Sequence, residues 1–372
     1  MKPSLALLPL GLGLIALTPV IPPLQPIETR QLDPIAGYDD RLNSDRQKLI
    51  AAIDRSLRYL DTPNAAKAYR DYPVSGITRE RVRRSLVRFR QLVKTSRSIE
   101  DLQRAVQKEF IWYRSIGDDN QGNVKFTGYF EPIYAASRRK TAEYRYPLYR
   151  KPADFSRWAK PHPSRRELEG EDGLLGADSR LSGYELVWLK DRLEAYLVHV
   201  QGSAKLRLPD GKMMSVGFDG NTDYPYTSLG KELIKDGVFP AEGLTLPMVL
   251  GYLRENPDRL PNYLPRNNRF IFFRETDGAP ATGSIGVPVT AERSIATDKS
   301  VLPPGALAVI QTEIPDKTME KRPVSRFVLD QDTGSAIIGP GRVDIFMGTG
   351  PTAGDRAGLI NTPGKLYYLL LK

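Results

Sequence analysis

The hydrophobic period changes at Lys125, and that change limits the fold more than any other feature of the chain. Before it, apolar residues recur every three to four positions, the spacing that gives a helix one apolar face. Leu49, Ile50, Ile53, Leu57 and Leu60 make one such face, behind a Ser44-Asp45-Arg46-Gln47 capping box. Val82, Leu86, Phe89, Leu92 and Val93 make a second, on a helix from about Thr78 to Thr95. Ser98 with Asp101 starts a third, which continues through Leu102, Val106, Phe110 and Ile111. Three helices are therefore expected after a Pro-rich spacer, Pro22 to Asp40.

After Lys125 the pattern is that of strands. Phe126-Thr127-Gly128-Tyr129-Phe130-Glu131 opens a strand-rich tract that runs to about Thr276. Glu185 to Leu189 and Leu193 to Gln201 read as a hairpin turning near Asp191-Arg192, and Leu206 to Val216 as one turning at Pro209-Asp210-Gly211. Helices are expected from Ser228 to Asp236, ended by Gly237, and from Thr245 to just before Pro257. Arg269 to Phe273 is a strand again. From Ser284 onward, Ile285–Val289, Leu307–Gln311, Arg326–Leu329, Val343–Met347 and Leu366–Leu371 predict an all-β unit, sandwich or barrel.

Composition removes several chemistries. The 372 residues contain no Cys and two His, so thiolate nucleophiles, disulfides and His-rich metal sites are excluded. His162 lies in Lys160-Pro161-His162-Pro163, an expected exposed loop. His199 lies in the strand-like Leu197-Val198-His199-Val200, where packing or one hydrogen bond is its expected use. The net charge of +10 suits an anionic polymer partner. The basic residues are spread widely, as solvated helix faces also require. Met1 to Ile21 carries one Lys and then a long apolar run, expected to be a secretory signal or membrane anchor. The rest of the chain is then exported, which argues against a nucleic-acid partner.

Catalytic candidates concentrate near the C-terminus. Val343, Ile345 and Met347 alternate with Arg342, Asp344 and Phe346, so one strand has two unlike faces. Asp is disfavoured inside strands, and here glycine-rich segments, 334–341 and 348–358, frame it. On these residues alone, capping a turn or pairing with Arg342 or Arg356 is the commoner use of Asp344. With Asp332 and Asp298 it forms an acidic set suited to glycoside chemistry. The three are too scattered for Ca²⁺, which takes six or more closely spaced oxygens, so no metal is expected. Val200-Gln201-Gly202-Ser203 offers amide and hydroxyl groups to sugars, or is a β-bulge. Thr127 to Glu131, with Tyr224 and Tyr226, offers rings and hydroxyls that suit a sugar cleft or a core equally. Glu131 is a candidate second carboxylate.

Four blocks, in order, resemble the membrane-bound lytic murein transglycosylase A family with its C-terminal 3D domain. They are Phe126-Thr127-Gly128-Tyr129-Phe130-Glu131-Pro132, Val200-Gln201-Gly202-Ser203, Ala296-Thr297-Asp298 with Pro303-Pro304-Gly305, and Asp332 to Gly358. The resemblance implies a mainly β fold. Residues 41–136 and 277–372 would form a helical arm and a double-psi β-barrel, interrupted by an inserted β-rich domain at 137–276. It also implies cleavage of the β-1,4 bond between N-acetylmuramic acid and N-acetylglucosamine without water, leaving a 1,6-anhydro sugar. Asp344 matches the family's catalytic Asp, with Asp332 and Asp298 supporting. Thr127, Tyr129, Gln201, Gly202 and Ser203 would hold the glycan. No cofactor is implied, and the chain is expected to be a monomer acting on peptidoglycan strands in the periplasm or envelope, beside other cell-wall enzymes. The family's lipidated Cys is missing, which leaves the N-terminal apolar segment as the expected membrane attachment. Two other readings share the residues: a murein-binding scaffold without activity, and a hydrolase pairing Asp344 with Glu131 or Asp332.

Overall fold

The computed structural model describes residues 21–70 and 72–372. The expected signal or anchor therefore lies outside the described residues, apart from Ile21. No helix among the described residues is long and apolar enough to cross a membrane.

The segment expected to be a spacer is part of the fold. Strand β1 (Leu24–Ile27) pairs antiparallel with β2 (Phe110–Ser115), and Ala36 and Asp39 are fully buried. The helices between them number four rather than three: α1 (Leu42–Leu60), α2 (Pro63–Arg70), α3 (Arg79–Thr95) and α4 (Ile99–Glu109). Helix α2 turns only Ala65 and Tyr69 inward, too few positions to print a period. The predicted capping box does not form. Helix α1 starts at Leu42, Asp45 leaves helical geometry at φ −139°, and Ser44 donates to the Arg41 carbonyl instead. A buried cation, Arg293, draws the Asp45 carboxylate away. Thr78 and Ser98 do cap α3 and α4, each side chain accepting a backbone N–H. Helix α4 stops at Glu109, where Phe110 and Trp112 turn into the core of β2.

The barrel begins with β3 (Val124–Glu131). The chain then leaves at Pro132 rather than at the expected Ala136, because β4 (Ile133–Ser137) already pairs with β6 and β7 of a second sheet. That sheet, in the order β5-β6-β4-β7-β8-β9, uses β5 (Tyr146–Tyr149), β6 (Glu185–Leu189), β7 (Ser203–Arg207), β8 (Met213–Asn221) and β9 (Ile271–Glu275). Helices α5 (Arg165–Glu169), α6 (Arg192–Gln201), α7 (Leu229–Lys235), α8 (Leu246–Glu255) and α9 (Leu260–Tyr263) pack around it.

Leu193 to Gln201 is therefore helix, not the second arm of a hairpin. Asp191 caps it by accepting the Glu194 N–H. Leu193, Tyr196 and Leu197 face one apolar cluster, while Ala195 and Val198 face another. A helix buried on two sides has a near-continuous apolar sequence, which period alone cannot separate from a buried strand. His162 is buried rather than exposed: Phe155 packs on its ring at 4.8 Å, and its Nδ1 accepts the Asp223 N–H. His199 is buried too, in α6 rather than a strand, and accepts the Ile271 N–H.

The C-terminal part supplies β10 (Ser294–Ala296), β11 (Leu307–Pro315), β12 (Lys321–Asp332), β13 (Arg342–Thr349), α10 (Pro351–Leu359) and β14 (Asn361–Leu371). The predicted strand at Ile285–Val289 is only an isolated bridge between Thr282 and Pro288. Pairing runs β14-β11-β12-β10-β13-β3, and β3 returns to β14, which closes a six-stranded barrel. Two of its pairs are parallel, β3 with β13 and β10 with β12. Its interior joins Phe126, Ile295, Val309, Phe327, Val343 and Leu366 to the apolar faces of α1 and α3 in one core. The molecule is thus mainly β, with a barrel, a second β sheet and N-terminal helices. Gly128 lets α10 close one end, since a Cβ there would come within 2.8 Å of the Ala357 backbone.

Candidate active site

The site is built on two adjacent parallel strands. In register, Arg342 lies beside Lys125, Asp344 beside Thr127 and Phe346 beside Tyr129. Alternation turns Phe126, Val343 and Ile345 into the core. It turns the other three pairs outward as three tiers of one polar face. In the lowest tier the Phe346 and Tyr129 rings pack at 5.2 Å. In the middle tier Thr127 Oγ1 donates to Asp344 Oδ1 at 2.9 Å. Above it, Arg342 Nη2 stands 3.4 Å from Thr127 Oγ1.

Asp344 is half-buried and forms no ion pair among the described residues; its one side-chain partner is Thr127. Burial pushes its carboxyl up to about 6, against the Thr127 hydrogen bond and the Arg342 charge, and with help from the Asp332 charge. Near neutrality such a group can give a proton and take one back. The commoner uses of an Asp between turns do not apply. Asp344 caps nothing, and Arg356 belongs to Glu292 at 2.8 Å.

Asp332 is near by topology, because Ala296 of β10 pairs with Asp344 on one side and Asp332 on the other. Two strand spacings separate them, about 10 Å between backbones. Its oxygens already accept three donors: the Tyr129 hydroxyl at 2.7 Å and the Ser284 and Thr333 N–H groups at 2.8 Å. Burial still leaves its carboxyl raised. Asp298 sits elsewhere. It accepts Ser300 and the Gly339 N–H at 2.7 Å, and so pins the turn that leads into β13. Glu131 is buried and takes the Thr349 hydroxyl at 2.8 Å. Four residues of strand place it roughly 13 Å from the Thr127 tier.

A cavity of about 460 Å³ opens between barrel and insert, with Tyr129, Asp332 and Ser335 on one wall and Gln201, Ser203 and Arg269 on the other. The Gln201–Ser203 motif ends α6. Gly202 takes the left-handed conformation at φ +77° as the helix C-cap, so the β-bulge alternative is excluded. Gln201 Oε1 accepts the Phe130 N–H at 3.1 Å, which ties the insert to β3. Tyr226 also lines the cavity. Burial raises its phenol strongly. The Ser284 and Thr333 amides that hold Asp332 had no side-chain signal in the sequence.

Comparison with known proteins gives the family. Residues 125–274 match the family described as the MltA specific insert domain, and residues 293–370 match the 3D domain. Membrane-bound lytic murein transglycosylase A of Escherichia coli strain K12 is 31% identical over 257 residues, 68% of this chain and 67% of that protein. The chain belongs to the membrane-bound lytic murein transglycosylase A family. Among solved members, the membrane-bound lytic murein transglycosylase from Agrobacterium tumefaciens superposes with a TM-score of 0.74 at 26% identity, covering 94% of this chain and 97% of that one. Escherichia coli MltA with bound chitohexaose gives 0.72 at 25% identity, covering 94% of both.

Proposed function

We propose that this chain is a lytic transglycosylase of the cell envelope that cuts murein between N-acetylmuramic acid and N-acetylglucosamine. One observation carries the reading. A half-buried carboxylate without a cation partner, Asp344, stands one strand tier from Tyr129, which lines the inter-domain cavity, in a family whose relatives are named for this activity. Protonated Asp344 gives its proton to the glycosidic oxygen as the bond to the muramyl C1 breaks. The carboxylate then takes the proton of the muramyl C6 hydroxyl, and O6 bonds to C1. Proton and bond counts balance without water, and Asp344 ends protonated again. Thr127 orients the carboxylate, and Arg342 favours its ionised form midway. Tyr129, Gln201, Gly202 and Ser203 line the glycan path, with Asp332 supporting through Tyr129.

This route needs one carboxyl group, which suits the surroundings of the other acids. A two-carboxylate hydrolase requires a second group free to bind water or C1, at roughly 5–10 Å. Asp332 already accepts three hydrogen bonds, and Glu131 stands roughly 13 Å from the Asp344 tier. Mass spectrometry of products from purified murein tests the proposal. Muropeptides lighter by one water than reducing-end products, absent with Asp344→Asn, are expected. Reducing ends would overturn it in favour of hydrolysis, and retention on sacculi without cleavage would favour a scaffold.

A further inference from the structure

The sequence Asp330-Gln331-Asp332 sets two carboxylates two positions apart at the end of β12. In an uninterrupted strand such residues share one face. Here they do not. Ile295 of β10 pairs with Asp330, but the next residue, Ala296, pairs with Asp332, so Gln331 is an extra residue, a β-bulge. Asp330 is fully buried and takes the Thr297 and Tyr368 hydroxyls, both at 2.7 Å, and the Lys299 ammonium. Asp332 takes the Tyr129 hydroxyl and lines the cavity. The bulge therefore separates an acid that braces the barrel from one that reaches the groove.

Gln331 has no role in the chemistry above, yet its fully buried side chain ties the bulge down on two sides. Its Oε1 accepts the Ser294 hydroxyl of β10 at 2.6 Å. Its Nε2 donates to the Ala52 carbonyl at 2.8 Å and the Ser56 hydroxyl at 2.9 Å. Ala52 and Ser56 belong to α1, so the helical arm grips the barrel at the bulge itself. Removing such an amide leaves buried partners unpaired, which costs more than the bonds were worth. We propose that Gln331 is a positioning residue of the active site. Anchored to α1, it fixes the bulge that turns Asp332 onto Tyr129, and so shapes the tier beside Asp344 from outside the barrel. Its effect on rate rests on the transglycosylase reading; its effect on the placement of Asp332 does not.

A double-mutant cycle with Asp332 tests it. Gln331→Leu is expected to lower the maximal rate of muropeptide release about 10- to 100-fold. In an Asp332→Ala background the same change should alter the rate by less than about 2-fold, because no carboxylate is left to misplace. Gln103→Leu frees a different fastening of the arm, the Pro34 and Ala36 carbonyls, and should lower stability in urea while the rate stays. Ser56→Ala removes one of the three bonds and keeps the test open where Gln331→Leu does not fold; it should give the same cycle with a smaller loss. A crystal structure of the variant should show Asp332 off the Tyr129 hydroxyl. Equal losses in the two backgrounds overturn the proposal, and so does a variant structure that keeps both the bulge and that bond. Reducing ends from wild-type protein, or no cleavage, would overturn the transglycosylase reading instead, and the variant structure would still decide the role of Gln331.

Discussion

Two carboxylates at neighbouring positions along β13 titrate in opposite senses. On the strand itself, Asp344 has a single hydroxyl partner, and burial drives it up to about 6. Two positions along, Glu292 donates its backbone N–H to the Phe346 carbonyl. Its carboxylate takes Arg41, Arg326 and Arg356 at 2.6–2.8 Å. Burial would raise Glu292 as well, but those cations hold it at about 2. Next to it, fully buried Arg293 grips Asp39 through two bonds, at 2.6 and 2.9 Å, and also Asp45. Its charge outweighs burial and depresses Asp39. Burial pushes all three carboxyls up, and the arginines beside Glu292 and Asp39 reverse it. The protein fastens its N-terminal segment with paired acids, while Asp344 forms no ion pair among the described residues.

The largest effect should come from removing the unpaired acid. Asp344→Asn is expected to cut the rate on murein by about 10²–10⁴-fold, read from muropeptide release. Breaking the paired cluster should cost stability instead. Arg293→Met leaves Asp39 and Asp45 buried without their cation, and should lower unfolding free energy by about 3–5 kcal/mol in urea titrations. A smaller loss would mean that the acids relax to water.

The third expectation reverses the usual sign. The folded Asp344 carboxyl is raised, so the folded state holds the proton more tightly than the unfolded chain. Stability then falls as pH rises from about 4 through about 6. Asp344→Asn should match wild type at pH 4 and exceed it at pH 8 by roughly 1–3 kcal/mol. Glu292 works the other way: its contribution is present at neutral pH and is lost as pH falls toward about 2. The smallest effect is on the pH profile. Activity should decline above about pH 6 as Asp344 ionises. Thr127→Val should move that limb to higher pH and Asp332→Asn to lower pH, since the former removes a stabiliser of the anion and the latter a like charge. An unmoved limb in both would assign it to another group.

Much of the candidate site was legible because it is local. Alternation in Arg342 to Met347 gives its polar side directly, and the Thr127 strand has the same period. That these two strands are neighbours was available only through family resemblance, because no local pattern encodes contact across 217 positions of chain. Asp298 was grouped with the other acids by type, yet it serves a turn. Helix α6 was misread because burial on two sides erased its period. The N-terminal segment looked like a spacer because its proline content was plain, while the partners of Asp39 and Asp40 lie near Arg293 and Arg326, far along the chain.

Barrel closure has a consequence for how the enzyme comes into being. The last strand, β14, bonds to β2, β3 and β11 at once, and Asp344 stands only 28 residues before the final Lys372. The seam that carries Asp344 therefore closes only when β14 docks on β2 and β3, strands more than 200 residues earlier in the chain. Contacts of such long span make assembly slow.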